Sequence, residues 1–423
     1  MRPPLLALAV LVAALVPAAA RAEVPTSCAA APPFHAGPLG AVAYIRSGTL
    51  HVVDVSSGSD RTLARVSVPQ YGTRTLAWSA DGRWLSAGAL LIPAAGGSFC
   101  RPFAPGTGLY GGDVVLHWAP KGDLLAATTA RGVFLLHPGG TPHRILPARW
   151  SADGFSPHGT RIAAEGPAQT NTPALWAVDL GSGKRTLLYR APTIHVGMPV
   201  LARWTPDGRW VLFWTDTEDS ASMAADGLPL LAVPAGGGRA VPLAPSVLRT
   251  PQFVVPCGPG RVVVVSGFDR YVSAHKSLEL FTEGSWAGRN LSADPSRSWY
   301  DPSCSPDGRT ILATATVMPG DEYGKIDSSA RMLWRLSPGG SRRLLLGAPH
   351  DPVSFEGARF APDGRHILYL RHPTRYGAPI ELRLLDLSTG RSEPVATMGG
   401  GQDSQDYYGL HDLAGTAAWY QRP

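Results

Sequence analysis

Four side chains occupy one recurring place in this sequence. His117, Arg203 and Arg359 each stand immediately before an aromatic residue (Trp118, Trp204 and Phe360), and His411 lies near the corresponding place at the C-terminus. If these positions face one cavity, three or four cationic groups meet there, and the chemistry open to them is anion binding. The structural alternative is that they hydrogen-bond carbonyls of neighbouring strands, a service that arginine often performs. A second set lies in four long polar stretches, Thr215–Gly227, Gly267–Lys276, Val317–Ala330 and Arg371–Pro379. These carry Asp216, Glu218 and Asp219; Arg270, Tyr271 and His275; Asp321, Glu322 and Tyr323; and Arg375 and Tyr376. Tyrosine beside arginine is a pairing that carries energy at protein interfaces. Arg270, Tyr271, Glu322, Tyr323, Arg375 and Tyr376 are therefore the candidate binding residues, against the alternative of solvated loops without a ligand.

Catalytic patterns are missing from the sequence. It contains no Gly-x-Ser-x-Gly elbow, no His-Glu-x-x-His, no phosphate-binding glycine loop and no EF-hand. The twelve histidines are scattered. No catalytic residue, metal ligand or cofactor is assigned.

The elements that position these residues are set by a small turn. In Ser305-Pro306-Asp307-Gly308 an apolar strand enters, Thr310-Ile311-Leu312-Ala313 leaves, proline presets one turn dihedral and glycine accepts the left-handed one. Related turns end at Gly40, Gly82, Gly122, Gly159, Gly208, Gly260, Gly308, Gly364 and, in degenerate form, Gly415, at intervals of 37 to 56 residues. Trp150-Ser151-Ala152-Asp153-Gly154 also fits the turn, but Gly159 has the better strand behind it. The turn itself accounts for Asp81, Asp207, Asp307 and Asp363. Packing between repeats is the first reading of the recurring tryptophans.

Each interval holds an apolar strand, a loop, an alternating strand such as Leu175–Leu180, a glycine-rich hairpin and a short last strand. With the strand leading to the next turn there are four per unit, and such periods mean a β-propeller. Eight units carry the last three strands. The first has no leading strand of its own, because Pro32-Pro33 and Gly37-Pro38 break it up. The C-terminus offers a replacement around Tyr408 to Leu413, with Ala417–Tyr420 beside it. The expectation is an all-β propeller of four-stranded blades, eight in number with seven as the alternative, closed by pairing of N- and C-terminal strands. The loop between second and third strands is short in early units and long in later ones. All such loops should therefore rise from one face, and insertions on one face of a repeat array commonly form its binding surface.

The turn Trp204-Thr205-Pro206-Asp207-Gly208-Arg209, its relatives Cys304–Arg309 and Phe360–Arg365, and the hairpins Ala177–Gly183 and Leu385–Gly390 resemble the WD40-like repeats of TolB-type propellers. The resemblance covers nearly the whole chain after the first two dozen residues. It implies an exported propeller, and it is more specific for fold than for function. The family's namesake carries an α/β domain before its propeller. Here the strand pattern begins near Ala41, so the resemblance points to a TolB-like protein and away from the namesake's own role. Peptidases with a similar propeller need the serine elbow that is missing. Some lyases with related propellers hold a metal through histidines at the channel mouth.

The remaining bounds come from the N-terminus, charge and cysteines. Arg2, the apolar run Leu5–Val16 and Ala20-Arg21-Ala22 read as a signal peptide (residues 1–22) cleaved after Ala22, leaving residues 23–423 as one domain. The run is short for a membrane span, and no other stretch approaches one. A lipid anchor on Cys28 is the rival reading, opposed by Arg21, Glu23 and Pro25. Loss of Arg2 and Arg21 lowers the formal charge from +6 to +4, with no basic block of the kind nucleic-acid binding needs. Cys28, Cys100, Cys257 and Cys304 favour disulfides in an exported chain and allow three pairings, of which Cys28–Cys100 with Cys257–Cys304 is preferred. The expected protein is a secreted or periplasmic monomer, a non-enzymatic scaffold that binds another envelope or secreted protein through its loop-rich face. The alternative is a metal-dependent lyase or hydrolase acting on an anionic carbohydrate or small anion in the channel.

Overall fold

A computed structural model describes residues 26–66, 76–109, 112–168, 170–193, 195, 197–216, 225–318, 330–374, 378–399, 409–410 and 417–421. The chain forms eight antiparallel sheets arranged as the blades of a ring, an eight-bladed β-propeller with almost no helix. Seven sheets have four strands. The second has three (Leu76–Trp78, Trp84–Ala87 and Leu90–Pro93), and the antiparallel bridge between Leu91 and Cys100 holds its fourth, outer position.

The inner strands of blades 2 to 8 are Leu76–Trp78, Val115–Trp118, Ser151–Phe155, Met198–Trp204, Val254–Pro256, Arg297–Cys304 and Val353–Phe360. Blade 1 begins at Ala41–Arg46 and takes its inner strand from the other end of the chain. Ala417–Tyr420 pairs with it antiparallel, from Ala41 opposite Tyr420 to Tyr44 opposite Ala417. The ring is thus closed by the two ends, and blade 1 gains the inner strand that its own segment lacks. The closing strand is the later of the two C-terminal candidates. Gly409 and Leu410 are not in a strand, and the rest of 408–413 lies outside the described residues. Closure also buries apolar surface: Val42 and Tyr44 of blade 1 share a core with Leu368, Leu370, Ile380 and Leu382 of blade 8. Each such side chain contributes about 1.5–3 kcal/mol when fully buried.

The turn works as its residues dictate. At Thr205–Gly208 the Gly208 N–H donates to Thr205 O (2.8 Å) with Gly208 at φ 68°. The Asp207 carboxylate accepts from Thr205 Oγ1 (2.7 Å) and from the Arg209 N–H (2.9 Å). Ser79 with Asp81, and Ser305 with Asp307, repeat the arrangement. Ser156–Gly159 forms the blade 4 turn, and Asp153 sits inside the strand before it. Tryptophans before the turns tie blade to blade: Trp78 Nε1 donates to Ala418 O (2.9 Å), Trp118 Nε1 to Ser86 Oγ (3.0 Å) and Trp204 Nε1 to Gly154 O (3.3 Å). Arg161 lies over the Trp204 ring and donates to Gly208 O and Ala235 O of the next blade.

Two disulfides are present. Cys28–Cys100 fastens the N-terminal segment to blade 2, and Cys257–Cys304 joins the turn ends of the inner strands of blades 6 and 7.

The loops between second and third strands change length round the ring. They have two residues in blades 1, 2 and 3, then 8, 11, 10, 13 and 6 in blades 4 to 8. The loops of blades 5 and 7 begin later than the sequence reading placed them, because Thr215, Asp216 and Val317 are still paired in strands opposite Pro199, Met198 and Arg297, and two further details differ. The lengthening begins one blade earlier, at 166–173. The blade 8 loop is shorter than 371–379, because Arg371, His372 and Pro373 remain paired in strands opposite Phe355, Ser354 and Val353.

Candidate functional site

Contacts between successive loops place them on one rim. Asp226, from the blade 5 loop, accepts from Arg270 Nε of the blade 6 loop at 2.8 Å. The His275 N–H of that loop donates to Met318 Sδ, where the blade 7 loop begins. Arg331, where that loop ends, reaches Glu356 and through it His372 at the root of the blade 8 loop.

The blade 6 loop, 267–276, is built round one cation. Lys276 is only 2% exposed, and its Nζ donates to the carbonyls of Gly267 (2.8 Å), Phe268 (3.1 Å) and Asp269 (2.5 Å). Burial pushes its pKa down to about 8 against the pull of Asp269 and Asp226. Three carbonyls curled round an ammonium demand unusual backbone, and Asp269 (φ 104°) and His275 (φ 52°) supply it. The loop is therefore clamped from inside, with one apolar side chain at its tip. Phe268 is 68% exposed, the most exposed of the large hydrophobic residues described.

The sequence candidates on this rim divide into three groups. Arg270 is half-buried and engaged with Asp226, so its first role is to join loops. Tyr271 is half-buried beside it, its N–H held by Asp269 Oδ1 (3.1 Å). Glu322, Tyr323, Arg375 and Tyr376 lie outside the described residues, as do Glu218, Asp219 and Asp321. Sequence reasoning missed Phe268. The signal available was a phenylalanine inside an otherwise polar insertion.

The channel candidates also separate. His117 is half-buried, and its ring bonds to the backbone at Ala152 of the next blade. Burial pushes its pKa down to about 4, so it is neutral at ordinary pH and contributes no cation. Arg359 donates to Asp301 Oδ1 (2.8 Å) and to Ala358 O (2.8 Å), an ion pair between blades 8 and 7. Arg203 donates to Pro251 O at 3.4 Å, and burial, with repulsion from Arg359, lowers its pKa to about 10. His411 lies outside the described residues. Among the described candidates this leaves Arg203 and an arginine already matched by a carboxylate.

The sequence reading did not anticipate the channel acids Asp153, Glu165 and Asp301, and it put Asp216 in a loop where the structure has the end of a strand. The inner strands of blades 4, 5, 7 and 8 each carry a register shift, between Ala152 and Gly154, Leu201 and Arg203, Tyr300 and Ser303, and Glu356 and Arg359. Bulges re-aim side chains and are frequent next to functional sites. Here they displace Asp153 and Asp301, the latter at φ 50°. Asp153 belongs to a group with Glu165, Asp216 and Arg249. Burial and the nearby Glu165 push the Asp153 carboxyl well above its ordinary range. Burial likewise raises Glu165, with Asp216 adding to the shift and Arg249 opposing it. The Trp150–Gly154 sequence that imitated a turn is therefore a bulge that delivers an acid.

No family model matches the chain, and no curated protein matches it by sequence. Solved structures do. Dihydro-heme d1 dehydrogenase NirN, solved with DHE, is 14% identical with a TM-score of 0.56, over 92% of this chain and 78% of that one. Dipeptidyl peptidase 4 of Porphyromonas gingivalis is 9% identical with a TM-score of 0.53, over 86% of this chain and 60% of that one. These likenesses establish a shared propeller fold and nothing further. A putative TolB from Agrobacterium tumefaciens is also similar, 13% identical over 66% of this chain and 92% of that one, but its TM-score of 0.38 is too low to argue from.

Proposed function

We propose that this protein is an exported TolB-like scaffold that binds another envelope or secreted protein through the loop-bearing face of its propeller. The carrying observation is the rim of blades 5 to 8, in which the blade 5, 6 and 7 loops are joined in turn, the strand ends beside the blade 7 and 8 loops are joined through Arg331, Glu356 and His372, and Phe268 projects from a clamped support. A rigid rim with an exposed aromatic loses little entropy on docking, and aromatic anchors carry much of the energy at protein interfaces. Two disulfides and the sequence at residues 1–22 support an oxidising compartment. The alternative, anion chemistry in the channel, has less support. His117 is neutral, Arg359 is paired, and among the described residues no three His, Cys, Asp or Glu side chains converge as metal ligands.

The test is site-specific photocrosslinking in the producing cell. A photoreactive residue at Phe268 should give one defined protein adduct, and one at Leu187, an exposed position on an outer strand, should not. Phe268→Ala should weaken the isolated complex by more than about 1 kcal/mol. Equal adducts at both positions, or none at Phe268, would remove the basis for this face. Retention of the unprocessed chain in the cytoplasm would remove the export reading.

A further inference from the structure

We infer that the loop-side mouth of the channel at blades 4 and 5 is a binding site for a small organic cation, one bearing a primary ammonium or a guanidinium group. This inference stands independently of the protein-docking face.

Three carboxyl groups from three strands lie within electrostatic reach of one guanidinium there, and one of them is bonded to it. Asp153 comes from the bulge of the blade 4 inner strand. Glu165 ends the second strand of blade 4, opposite Ser151, and Asp216 ends the second strand of blade 5, opposite Met198. Arg249 enters from the connection between blades 5 and 6, its Nη1 3.2 Å from Asp216 Oδ2. Counted as ionised groups, the cluster has an excess of two negative charges.

Hydrogen bonding is incomplete in a way that an internal ion pair does not explain. Asp216 is only 6% exposed, yet its Oδ1 is buried with no hydrogen-bond partner among the described residues. Asp153 Oδ2 is in the same position. Buried carboxylate oxygens are among the costliest groups to leave without a donor, so two in one cluster mark a place where a donor is missing. Glu165 is coupled electrostatically to both acids.

The donor set selects the ligand. The described His, Cys, Asp and Glu side chains do not converge tightly enough anywhere to form a metal shell. Acceptors on separate strands instead suit a cation with several directed N–H groups, which an ammonium or a guanidinium provides. Arg249, about half exposed at the rim, already pairs with one oxygen in this manner. With no cation bound, protons take its place. The groups that face this carboxyl pair are Asp216, Arg249, the Leu201 N–H and the Glu165 N–H, which donates to Asp153, and burial with repulsion from neighbouring carboxylates keeps Asp153 and Glu165 protonated above their usual range. Binding a cation should therefore release protons, and affinity should rise with pH.

The experiment is isothermal titration calorimetry of the mature protein with methylguanidinium and with propylammonium chloride, in two amine-free buffers of different ionisation enthalpy near neutral pH. Tetramethylammonium, a cation without N–H donors, is the control. Saturable one-to-one binding of one or both probes with net proton release, weakened about tenfold or more in Asp153→Asn and in Asp216→Asn, is the expected result. Absence of saturable binding overturns the proposal, and so does equal binding of tetramethylammonium, since water then suffices for the open oxygens. Binding left intact in both variants also overturns it. Proton release is read on the native protein, so the outcome does not depend on either variant folding.

Discussion

Arg331 donates through Nη1 to both oxygens of Glu356, at 2.6 and 2.5 Å, and neither side chain is more than 5% exposed. Arg331 emerges from the longest of the loops, and Glu356 belongs to the inner strand of the next blade. His372 Nε2 lies 2.7 Å from the same carboxylate, and Arg331 Nη2 reaches Gly409 O at 2.6 Å. One buried network thus holds the roots of two loops and the C-terminal segment. Removing one partner of such a pair leaves an uncompensated charge. Arg331→Met should destabilise the protein by about 3–5 kcal/mol in urea unfolding. Adding Glu356→Gln should recover a large part of that loss. If the double variant is no better than the single one, packing and not charge holds the junction.

The acid cluster makes the protein's stability depend on pH in an unusual direction. Burial raises the Glu165 carboxyl above its unfolded value, so the folded state binds the extra proton. The resulting stability is fully present below the unfolded pKa and is lost as pH rises through the folded one. Glu165→Gln keeps an acceptor for the Leu201 N–H but cannot ionise. It should match the native protein near about pH 4 and exceed it in stability near about pH 8, measured by thermal unfolding in phosphate. A native protein that gains stability across this interval relative to the variant would contradict the assignment.

The fold was legible because its determinants are local. Thr205, Asp207 and Gly208 specify a turn within a few residues, and the same solution recurs at Ser79–Gly82 and Ser305–Gly308. Repetition then implies the ring, and the broken first unit implies closure by the far end. The candidate site was less legible because its determinants join distant residues. Arg359 looked like a channel cation until Asp301, 58 positions earlier, appeared beside it. His117 looked cationic because its burial cannot be read from its neighbours in sequence. Asp153 was hidden by a resemblance to the turn, and only a register shift in the paired strand exposes its role. Loop boundaries failed at blade 8 for a related reason. The polar run Arg371–Pro373 continues a strand, because Arg371 finds Glu381 on the paired third strand at 3.3 Å.

The two disulfides should differ in value in the order opposite to their loop lengths. Cys28–Cys100 closes a separation of 72 residues and Cys257–Cys304 one of 47, so loop-closure entropy alone slightly favours the first. Cys28, however, belongs to an irregular segment outside the blades, whereas Cys257 and Cys304 join inner strands of adjacent blades. Replacing both Cys257 and Cys304 by Ala should cost about 2–4 kcal/mol, and replacing Cys28 and Cys100 should cost less. Denaturant titration of both double variants under non-reducing conditions decides the order. The reverse order would show that denatured-state entropy outweighs the strand junction.

Two glycines separate backbone conformation from contact at the closure. Gly40 and Gly58 both have left-handed dihedrals, at φ 79° and 69°. A side chain on either therefore meets a similar conformational penalty, about 1 kcal/mol for alanine. Their surroundings differ. A Cβ on Gly58 would have nothing within 4 Å, whereas one on Gly40 would stand 2.0 Å from the Tyr420 carbonyl oxygen. That oxygen belongs to the strand that completes blade 1, and backbone there cannot move without disturbing its pairing with Ala41. Gly58→Ala should consequently lower stability by about 1 kcal/mol. Gly40→Ala should cost several-fold more and should loosen the closing strand, seen as faster amide hydrogen exchange at residues 417–420 than in the other inner strands. Equal losses for the two variants, with exchange unchanged at 417–420, would mean that the ring tolerates displacement of its last strand and that its closure rests on the shared core of blades 1 and 8 instead.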